Sequence, residues 1–363
     1  IHKPIGVQQE KEHDMTIQIG LVCLGFMGTT HYNIYQQLPG VQVVAVADVD
    51  PDKRAGDIRK VHGNIGGQTV ERYDFSKVDV YADALEMVAR PDLDVVDVCC
   101  PTPDHARYVV AALDAGKHVF SEKPLCRTRE EMRQIAAAAR RSQKFFNVGM
   151  CVRAWPEYRH AYEQFTAGRF GKLRAAEFRR LSPTVAGNAW ENWYMQESRS
   201  GGALLDLHLH DCDLVRYFFG RPRAVATRGL RGLVSDRGID YCRTRYDFGD
   251  GTLVTAEGGW AAAPGTPFEM SFQLFCEKAT VRFMSEGYKI YWADGKVETP
   301  ELNVGDLPTG WHQELAYFTQ CVREGVPPTR YQDLASVLDS YCMILAEERA
   351  CDSGEAVTVE YVD

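Results

Sequence analysis

Short apolar runs alternate with amphipathic segments over the first 150 residues of the chain. The runs are rich in β-branched residues, which is typical of buried strands, and the segments between them repeat apolar residues at helical spacing. Strands are predicted at residues 16–22, 41–47, 95–99, 118–121 and 145–148. Helices are predicted at residues 27–38, 52–61, 82–89, 104–115 and 128–142. This alternation predicts an α/β fold with a doubly wound parallel sheet, because a helix carries the chain back between parallel strands.

The pattern changes after Gly149, where strand-like runs follow one another with few helices between them. Strands are predicted at residues 172–181, 224–230, 240–248, 252–260, 269–275, 280–283 and 288–292. Helices are predicted at residues 156–167, 203–219, 311–324 and 333–351. Turn signals such as Phe248-Gly249-Asp250-Gly251 separate the strands, so the sequence predicts a large, mostly antiparallel sheet. No flexible linker marks the change, and we expect two domains packed face to face with a site in the cleft between them.

A glycine turn connects the first strand to the first helix. It reads Cys23-Leu24-Gly25-Phe26-Met27-Gly28, close to the G-x-G-x-x-G spacing by which dinucleotide-binding folds bring backbone N–H groups and a helix N-terminus to the pyrophosphate. Gly25, Phe26, Met27 and Gly28 are therefore predicted to bind a dinucleotide. Cys23 replaces the first glycine, which is acceptable only if the backbone at this position does not need a positive φ.

An acidic residue follows the second strand. Asp48 lies twenty residues after Gly28, the spacing of the carboxylate that binds the adenosine ribose hydroxyls in this type of fold. A carboxylate there repels a 2′-phosphate, so NAD is predicted in preference to NADP. The alternative interpretation is a turn residue, because the sequence at this point reads Asp-Val-Asp-Pro-Asp.

Two further strand ends carry polar residues at the same edge of the sheet, where open parallel sheets bind their ligands. In the turn after residues 95–99, Thr102, Pro103 and His105 are predicted to face the cofactor, although Thr102 is equally suited to cap the next helix. The strand at residues 118–121 ends in Glu122-Lys123-Pro124. The proline stops the strand and leaves Lys123 at the strand end, as a candidate for chemistry.

A candidate catalytic segment lies in the second half of the chain, at residues 201–211. If it is helical, Asp206 and His210 share a face and His208 points elsewhere. The carboxylate would then hold one imidazole nitrogen while the other exchanges a proton, a task that suits the pKa of histidine. A metal site and a purely structural helix are the alternatives. Helical zinc sites place their histidines four residues apart, whereas His208 and His210 are two apart, so no metal is predicted.

Three motifs in this order, the glycine turn, the E-K-P strand end and a G-G-x-x-x-D-x-x-x-H segment, resemble those of the Gfo/Idh/MocA oxidoreductases. These are NAD(P)-dependent dehydrogenases of sugars and cyclic polyols, and the resemblance covers nearly the whole chain from Thr16. It implies a Rossmann domain at residues 15–150. It also implies a substrate-binding α/β domain at residues 151–363, whose large open sheet often forms the interface of a homo-oligomer such as a dimer or tetramer.

The resemblance further implies that Lys123, Asp206 and His210 form the catalytic group. His210 is expected to act as general acid and base on the reacting hydroxyl, Asp206 to orient it, and Lys123 to stabilise the developing alkoxide. Lys123 could instead transfer the proton, and the sequence leaves this open. Glu122 is expected to contact the cofactor near the nicotinamide ribose. His208 stands where many members carry glycine and is expected to add a polar group near the substrate.

Substrate contacts are predicted just after the last strand of the first domain. Arg153 suits hydroxyls or a carboxylate, and the ring of Trp155 suits stacking on a sugar ring. Other aromatic residues are candidates for the same role, although such residues are also common in cores. They are Tyr158, Trp190, Trp193 and Tyr194.

Composition limits the function classes. A chain of 363 residues with a formal net charge of −9 has room for two domains and is not expected to bind nucleic acid. No segment is apolar enough to span a membrane, and eleven cysteines without zinc-type pairs are typical of reduced thiols in a cytoplasmic protein. Residues 1–14 are polar and precede Met15, so we expect a tag remnant or a disordered arm.

Three functions remain compatible with the sequence. The first is a dehydrogenase that uses exchangeable NAD to oxidise a secondary hydroxyl of a sugar, an anhydrosugar or an inositol-like polyol. The second keeps NAD bound and oxidises a sugar hydroxyl transiently, to cleave a glycosidic bond or otherwise modify the sugar. The third is a non-catalytic NAD-binding regulator, which the intact lysine, aspartate and histidine disfavour.

Overall fold

The computed structural model describes residues 16–63, 70–185, 187, 190–302 and 304–362. The predicted tail at residues 1–14 therefore lies outside the described residues, as does the side chain of Trp190. The strands and helices of the fold all lie within the described residues.

The first half of the chain forms a six-stranded parallel sheet in the order β3-β2-β1-β4-β5-β6. Its strands are β1 (Ile17–Val22), β2 (Val41–Ala47), β3 (Asp79–Tyr81), β4 (Val95–Val98), β5 (His118–Ser121) and β6 (Phe146–Val148). Its helices are α1 (Phe26–Tyr35), α2 (Pro51–Arg54), α3 (Ala84–Val88), α4 (His105–Asp114) and α5 (Arg129–Arg141). The strand order reverses between β1 and β4, and this reversal opens a ligand crevice at the carboxyl ends of the strands. The predicted doubly wound sheet is confirmed.

Apolar side chains cover both faces of this sheet, as expected for parallel strands. On β4, Val96 and Val98 point into one core cluster, whereas Val95 belongs to a second cluster on the opposite face. Asp97 shares the face of Val95 because side chains alternate along a strand. A carboxylate therefore lies inside the second cluster.

The second half of the chain forms a nine-stranded sheet in the order β14-β13-β12-β11-β7-β10-β9-β8-β15. Its strands are β7 (Leu173–Pro183), β8 (Ala224–Arg231), β9 (Ile239–Asp247), β10 (Leu253–Ala262), β11 (Glu269–Cys276), β12 (Ala279–Met284), β13 (Gly287–Trp292), β14 (Val297–Glu298) and β15 (Val357–Thr358). All neighbouring strands are antiparallel except β7 and β10, which pair in parallel at the centre. The predicted mostly antiparallel sheet is thus confirmed.

The remaining helices are α6 (Cys151–Ala154), α7 (Pro156–Thr166), α8 (Glu197–Ser200), α9 (Leu209–Phe219), α10 (Gly310–Glu324) and α11 (Leu334–Ser353). α9 and α11 pack together against the nine-stranded sheet. α10 instead returns to the first sheet, where Leu315, Phe318 and Val322 join the core cluster that contains Val95. A helix from the end of the chain thus completes the core of the domain at its beginning.

Two helix predictions were wrong in detail. The helix predicted at residues 52–61 ends at Arg54, because Gly56 turns the chain at φ +82° so that Asp57 can form a β-bridge with Arg72. The helix predicted at residues 203–219 is a π-helix over Leu204–His208 followed by α9. The sequence analysis also missed the short strands β3, β14 and β15.

Candidate active site

A cavity lies between the two sheets and is lined by both halves of the chain. The first half contributes the start of α1, the end of β5 and the loop before residue 64, and the second half contributes α6, β7, the π-helix, β11 and α10. Its lining residues are Phe26, Met27, His62, Gly63, Glu122, Lys123, Cys151, Val152, Trp155, Arg180, Val185, Tyr194, Asp206, Leu207, His210, Phe268, Met270 and Trp311. The cavity thus lies in the expected cleft, and its lining includes all three predicted catalytic residues.

The glycine turn leaves the start of α1 open. Among the described residues, no side chain caps the helix and no atom lies within 4 Å of the position that a Cβ on Gly25 would take. Gly28 has no room for a side chain, because a Cβ there would collide with the carbonyl oxygen of Cys23. Free backbone N–H groups at an open helix N-terminus fit the pyrophosphate of a dinucleotide. The residues present therefore fit the predicted cofactor.

Cys23 corrects one premise of the sequence analysis. Its φ is +71°, so this position does require the left-handed backbone that glycine adopts most easily. The Cys23 N–H donates to the Ala47 carbonyl at 2.7 Å, which holds the turn against β2. The first glycine of the motif is thus replaced without a change of backbone shape, and the β-carbon makes this conformation strained.

Asp48 organises the turn from the end of β2. Its carboxylate is 4% exposed and accepts from the N–H groups of Leu24 at 2.7 Å and Asp50 at 2.8 Å. The Lys53 ammonium lies 3.7 Å away. Asp48 is therefore both a turn residue and a carboxylate beside the open helix start, so both interpretations of the sequence fit its position. Its contact with ribose stays a prediction.

The turn after β4 lies beside the cavity, but its predicted cofactor residues do not line the cavity. Thr102 is buried and Pro103 is partly exposed, and among the described residues neither lines the cavity. His105 is 1% exposed, with Nδ1 2.7 Å from the Pro124 carbonyl and Nε2 2.8 Å from the Cys100 carbonyl. Both ring nitrogens are thus occupied by the protein. His105 joins the two loops beside the crevice, and its prediction as a direct cofactor contact is corrected.

Lys123 bridges the two domains. Its ammonium donates to the backbone carbonyl of Asp206 at 2.7 Å and lies 3.5 Å from the Asp206 carboxylate. The Lys123 N–H donates to the Glu122 carboxylate at 3.0 Å. The end of β5 is therefore linked directly to the candidate catalytic segment of the second domain.

The π-helix explains the two glycines that precede it. Gly201 and Gly202 adopt φ values of +77° and +71°, and a Cβ on Gly202 would lie 2.8 Å from the backbone nitrogen of Ile239. The wider turn of the π-helix still places Asp206 and His210 in the cavity and directs His208 away from it. The predicted division of the three side chains is therefore correct, although the helix type is not.

His210 is an uncharged base in this environment. Burial lowers its pKa well below the usual value, and the nearby charges of Lys123 and Arg180 lower it further. Its Nδ1 is buried without a hydrogen-bond partner among the described residues. The predicted hydrogen bond between Asp206 and His210 is absent from this part of the chain, because the Asp206 carboxylate contacts Lys123 instead.

His208 does not reach the cavity, which corrects its prediction as a substrate contact. It is fully buried, and its Nε2 lies 2.9 Å from the Glu347 carboxylate. Burial opposes a charge on His208, but Cys242 and Glu347 outweigh it and raise its pKa well above the usual value. Tyr246 and Thr244 donate to the same carboxylate at 2.7 and 2.8 Å. His208 therefore anchors the π-helix to α11.

Arg153 is likewise removed from the substrate. Its guanidinium is 1% exposed and forms a two-pronged ion pair with Asp213 at 2.7 and 2.5 Å. A third nitrogen donates to Ser336 at 2.9 Å. All of these groups are buried between α6, α9 and α11, so Arg153 is a structural residue and its predicted substrate role is corrected. Tyr158 is also fully buried and does not line the cavity.

Aromatic rings form part of the cavity wall. Trp155 and Trp311 meet edge to face, with their centroids 5.5 Å apart, and both line the cavity. Tyr194 lines it from the other side and stacks on Trp193 at 4.2 Å. Trp155 and Tyr194 are thus placed as predicted, and Trp311 is an addition from α10.

Arg180 is a cavity residue that the sequence analysis missed. It lies on β7, 3% exposed, and its guanidinium binds the Asp211 carboxylate at 2.9 Å. Along β7, positions 173, 176, 178, 180 and 182 are the buried ones. A charged residue on the inward side of a strand face that is otherwise uncharged was the signal that could have found it.

Comparisons with known proteins agree with this architecture. A family model described as "Oxidoreductase family, NAD-binding Rossmann fold" matches residues 17–150, and one described as "GFO/IDH/MocA C-terminal domain" matches residues 158–282. Among solved structures, a levoglucosan dehydrogenase in complex with NADH and levoglucosan is 22% identical with a TM-score of 0.79, covering 94% of this chain and 99% of that one. An apo scyllo-inositol dehydrogenase from Lactobacillus casei is 22% identical with a TM-score of 0.74, covering 95% and 99%. These likenesses show the fold.

Curated relatives match over part of their length. An inositol 2-dehydrogenase of Saccharopolyspora erythraea is 31% identical over 225 residues, which are 59% of this chain and 60% of that protein. A levoglucosan dehydrogenase of Pseudarthrobacter phenanthrenivorans is 29% identical over 211 residues, 58% of this chain and 53% of that protein. The chain thus spans less than two thirds of these relatives.

None of the described helices has the length and apolar character needed to cross a membrane.

The two family matches together cover most of both domains and confirm the predicted NAD cofactor. On this basis the chain belongs to the Gfo/Idh/MocA oxidoreductase family, with an NAD-binding Rossmann domain followed by the C-terminal domain of that family.

Proposed function

We propose that this protein is an NAD-dependent dehydrogenase that oxidises a secondary hydroxyl of a sugar, an anhydrosugar or an inositol-like polyol. The observation that carries the proposal is a single cavity, next to the open start of α1, that contains Lys123, Asp206 and an uncharged His210. The names of the relatives, inositol 2-dehydrogenase and levoglucosan dehydrogenase, support the substrate class. Residues 15–150 are proposed as the cofactor domain and residues 151–363 as the substrate domain.

Each part of the cofactor is assigned to its own residues. Gly25, Phe26, Met27 and Gly28 provide the pyrophosphate cradle, and Asp48 accepts hydrogen bonds from the adenosine ribose, which favours NAD over NADP. Thr102 and Pro103 border the crevice on its other side. Glu122 lies in the cavity beside Lys123 and is assigned to the nicotinamide ribose. When bound, NAD accepts the hydride from the carbon that carries the hydroxyl.

The residues of the chain handle the proton and the charge. The hydroxyl proton passes to the uncharged imidazole of His210, which burial keeps free of a proton at neutral pH. The Lys123 ammonium stabilises the negative charge that develops on the oxygen. Asp206 holds that ammonium through two oxygens. We therefore assign Asp206 to the positioning of Lys123, which differs from the role inferred from sequence.

The substrate is recognised through one aromatic wall and few polar groups. Trp155 and Trp311 offer apolar faces that suit the C–H surface of a sugar ring. Arg180 offers donors that suit hydroxyl groups, and Asp211 keeps its guanidinium in place. A compact ring with both C–H and hydroxyl faces matches this combination.

The proposal is tested by mixing the purified protein with NAD and a panel of inositols, anhydrosugars and hexoses while following the absorbance of reduced nicotinamide. We expect many turnovers with at least one compound. His210→Asn should lower kcat by roughly 10²–10⁴-fold, and Lys123→Met should do likewise. His160→Asn removes a half-buried histidine outside the cavity and should retain the activity.

The outcomes distinguish the alternatives. Reduction of at most one equivalent of nicotinamide would favour tightly bound NAD and transient oxidation of a sugar. No reduction with any compound, together with normal NADH binding, would overturn the dehydrogenase proposal in favour of a regulator.

We further propose a cytoplasmic homo-oligomer that forms through the outer face of the nine-stranded sheet. On β9, the side chains of Arg243, Arg245 and Asp247 point outward while their neighbours are buried. Leu253 on β10 and Phe275 on β11 are 53% and 42% exposed. All eleven cysteines are free thiols, which fits a reducing compartment. Light scattering should report more than one subunit, and Phe275→Glu should reduce that number; a monomeric wild type would contradict the proposal.

A further inference from the structure

A buried chain of charged groups lies behind the cavity residue Glu122. His31, on α1, has its Nδ1 2.8 Å from the Asp97 carboxylate and its Nε2 3.1 Å from the Glu122 carboxylate. The Nδ1–Asp97 contact is a hydrogen bond. The Nε2–Glu122 contact is a close ion-pair contact that lacks hydrogen-bond geometry. His31 therefore connects the interior of the first domain to the wall of the active site.

Asp97 is a charged residue at a position where parallel sheets normally carry an apolar one. β4 is central, and its side chains are buried on both faces, where apolar residues are the rule. Asp97 is fully buried, and Tyr35 donates to it at 2.9 Å. A buried carboxylate is costly unless it is paired, so its presence on this strand indicates a specific use.

The neighbouring groups define the charge state of His31. Burial opposes a proton on His31, but the contacts with Cys99 and Asp97 outweigh it and raise its pKa well above the usual value. The Asp97 oxygen is the nearer of the two partners, at 2.8 Å from Nδ1 against 3.3 Å for the Cys99 sulfur, so Asp97 is the partner that retains the proton. Glu314 on α10 also interacts with His31. It is kept neutral because burial and the charge of Glu122 raise its pKa.

A metal ion does not explain this cluster as well. His31, Asp97 and Cys99 could in principle share an ion. However, Nδ1 of His31 and the Asp97 oxygen are at hydrogen-bond distance, closer together than two ligands that each lie ~2.0–2.2 Å from a tetrahedral zinc ion. The observed arrangement is that of a protonated histidine between two carboxylates.

We propose that His31 is a positioning residue that holds the Glu122 carboxylate directed into the cofactor site, and that Asp97 keeps His31 protonated for this purpose. The inference rests on the proposed contact between Glu122 and the nicotinamide ribose. One oxygen of Glu122 faces His31, and the other accepts from the Lys123 N–H. The carboxylate is thus fixed from both sides without using cavity residues of the second domain.

The test measures the Kd of NADH by fluorescence between about pH 6 and pH 8. The wild type should show little change over this range. Asp97→Asn has the same shape but no charge, so His31 should lose its proton as the pH rises. The Kd should then be about tenfold weaker at the upper pH and recover toward the lower pH as His31 regains the proton. His31→Gln should be weakened at every pH, because glutamine cannot carry the charge.

A matched control is Asp339→Asn, which removes a fully buried carboxylate that pairs with Arg216 and Arg221 outside the cavity. It should lower stability without changing the Kd of NADH at any pH. If Asp97→Asn also lowered only stability, with an unchanged pH profile of NADH binding, the proposal would be overturned. Glu122→Gln distinguishes a failure of the proposed Glu122 contact from a failure of the inference about His31. If this variant leaves the Kd of NADH unchanged, the proposed role of Glu122 itself is wrong. If it weakens NADH binding while the His31 and Asp97 variants do not, only the role of His31 is wrong.

Discussion

His208 and His210 lie two residues apart, yet their surroundings push their charges in opposite directions. Glu347 faces His208 and raises its pKa, whereas burial beside the cations Lys123 and Arg180 lowers that of His210. The first histidine is an anchor, and the second is the proposed base. The same residue type therefore serves structure or chemistry according to the sign of its nearest charge.

The pH dependence of oxidation should reflect the low pKa of His210. The base must be unprotonated to accept the hydroxyl proton, so activity is lost only when the pH falls below the pKa of His210 in the folded protein. Because that pKa is well below 6.5, kcat/KM should be constant from about pH 6.5 to pH 8. An acid limb with its midpoint at or above pH 6.5, seen in wild type and absent from His210→Asn, would contradict the assignment.

Cys23 offers a test of stored backbone strain. Its φ of +71° should cost about 1–2 kcal/mol relative to glycine, partly offset because glycine gives the unfolded chain more freedom, by about 0.4–1 kcal/mol. Cys23→Gly should therefore raise the free energy of unfolding by up to about 1.6 kcal/mol in urea titrations. Cys23→Ala keeps the β-carbon and is the control: an equal gain in that variant would attribute the effect to the thiol.

Sequence reasoning recovered the site residues that carry a local motif. Lys123, at a strand end before proline, and Asp206 with His210, four apart after two glycines, were all placed in one cavity. Arg153 and His208 were misassigned because their partners are distant in sequence: Asp213 lies 60 residues from Arg153, and Glu347 lies 139 residues from His208. A charged residue whose ion-pair partner is remote cannot be distinguished by pattern from one that faces a ligand.

Among the structural elements, the π-helix at Leu204–His208 has the greatest effect on the site. Its predicted α-helical form followed from the spacing of residues 203–219, which does not reveal a local change of helical pitch. The π-helix fits because β10 carries glycines opposite it: a Cβ on Gly258 would lie 2.7 Å from the Cβ of His208. Helix distortions of this kind are common at functional sites.

Gly258→Ala should therefore disturb catalysis through the π-helix. The new methyl group should push His208 and with it Asp206, lowering kcat by at least about tenfold and the free energy of unfolding by about 1–3 kcal/mol. Gly229→Ala on β8 creates a similar collision, with the Cys351 sulfur at 2.8 Å, and serves as the comparison. Stability should fall in both variants, whereas a kcat that fell equally in both would argue against the role of the π-helix. Steady-state kinetics and urea titrations provide the two readouts.

Across the protein as a whole, α10 makes the two halves depend on each other. Leu315 and Phe318 on this helix pack into the core beneath the first sheet, where Phe318 meets Phe120 edge to face at 5.4 Å. The same helix supplies Trp311 to the cavity wall. Hydrophobic patterning predicted the helix itself, but a pattern cannot state which of two domains a helix packs against.

Leu315→Ala should consequently weaken the cofactor domain, although the residue is remote from it in sequence. Removing this fully buried side chain should cost about 2–5 kcal/mol. The urea midpoints for NADH binding and for intrinsic fluorescence should decrease together. Leu233→Ala truncates a leucine that is 52% exposed and should change stability by less than about 0.5 kcal/mol. A NADH-binding midpoint that stays unchanged in Leu315→Ala would show that α10 does not support the first domain.

The return of α10 also has a consequence for synthesis on the ribosome. The first domain leaves the exit tunnel well before Gly310–Glu324 has been made, and at ~5–20 residues per second the delay is on the order of ten to thirty seconds. During that time the apolar surface of the first domain that α10 later covers, including Phe120, lacks this helix as a partner. The nascent chain therefore passes through a stage at which it offers a binding surface to chaperones, and this surface disappears when the last third of the protein is complete.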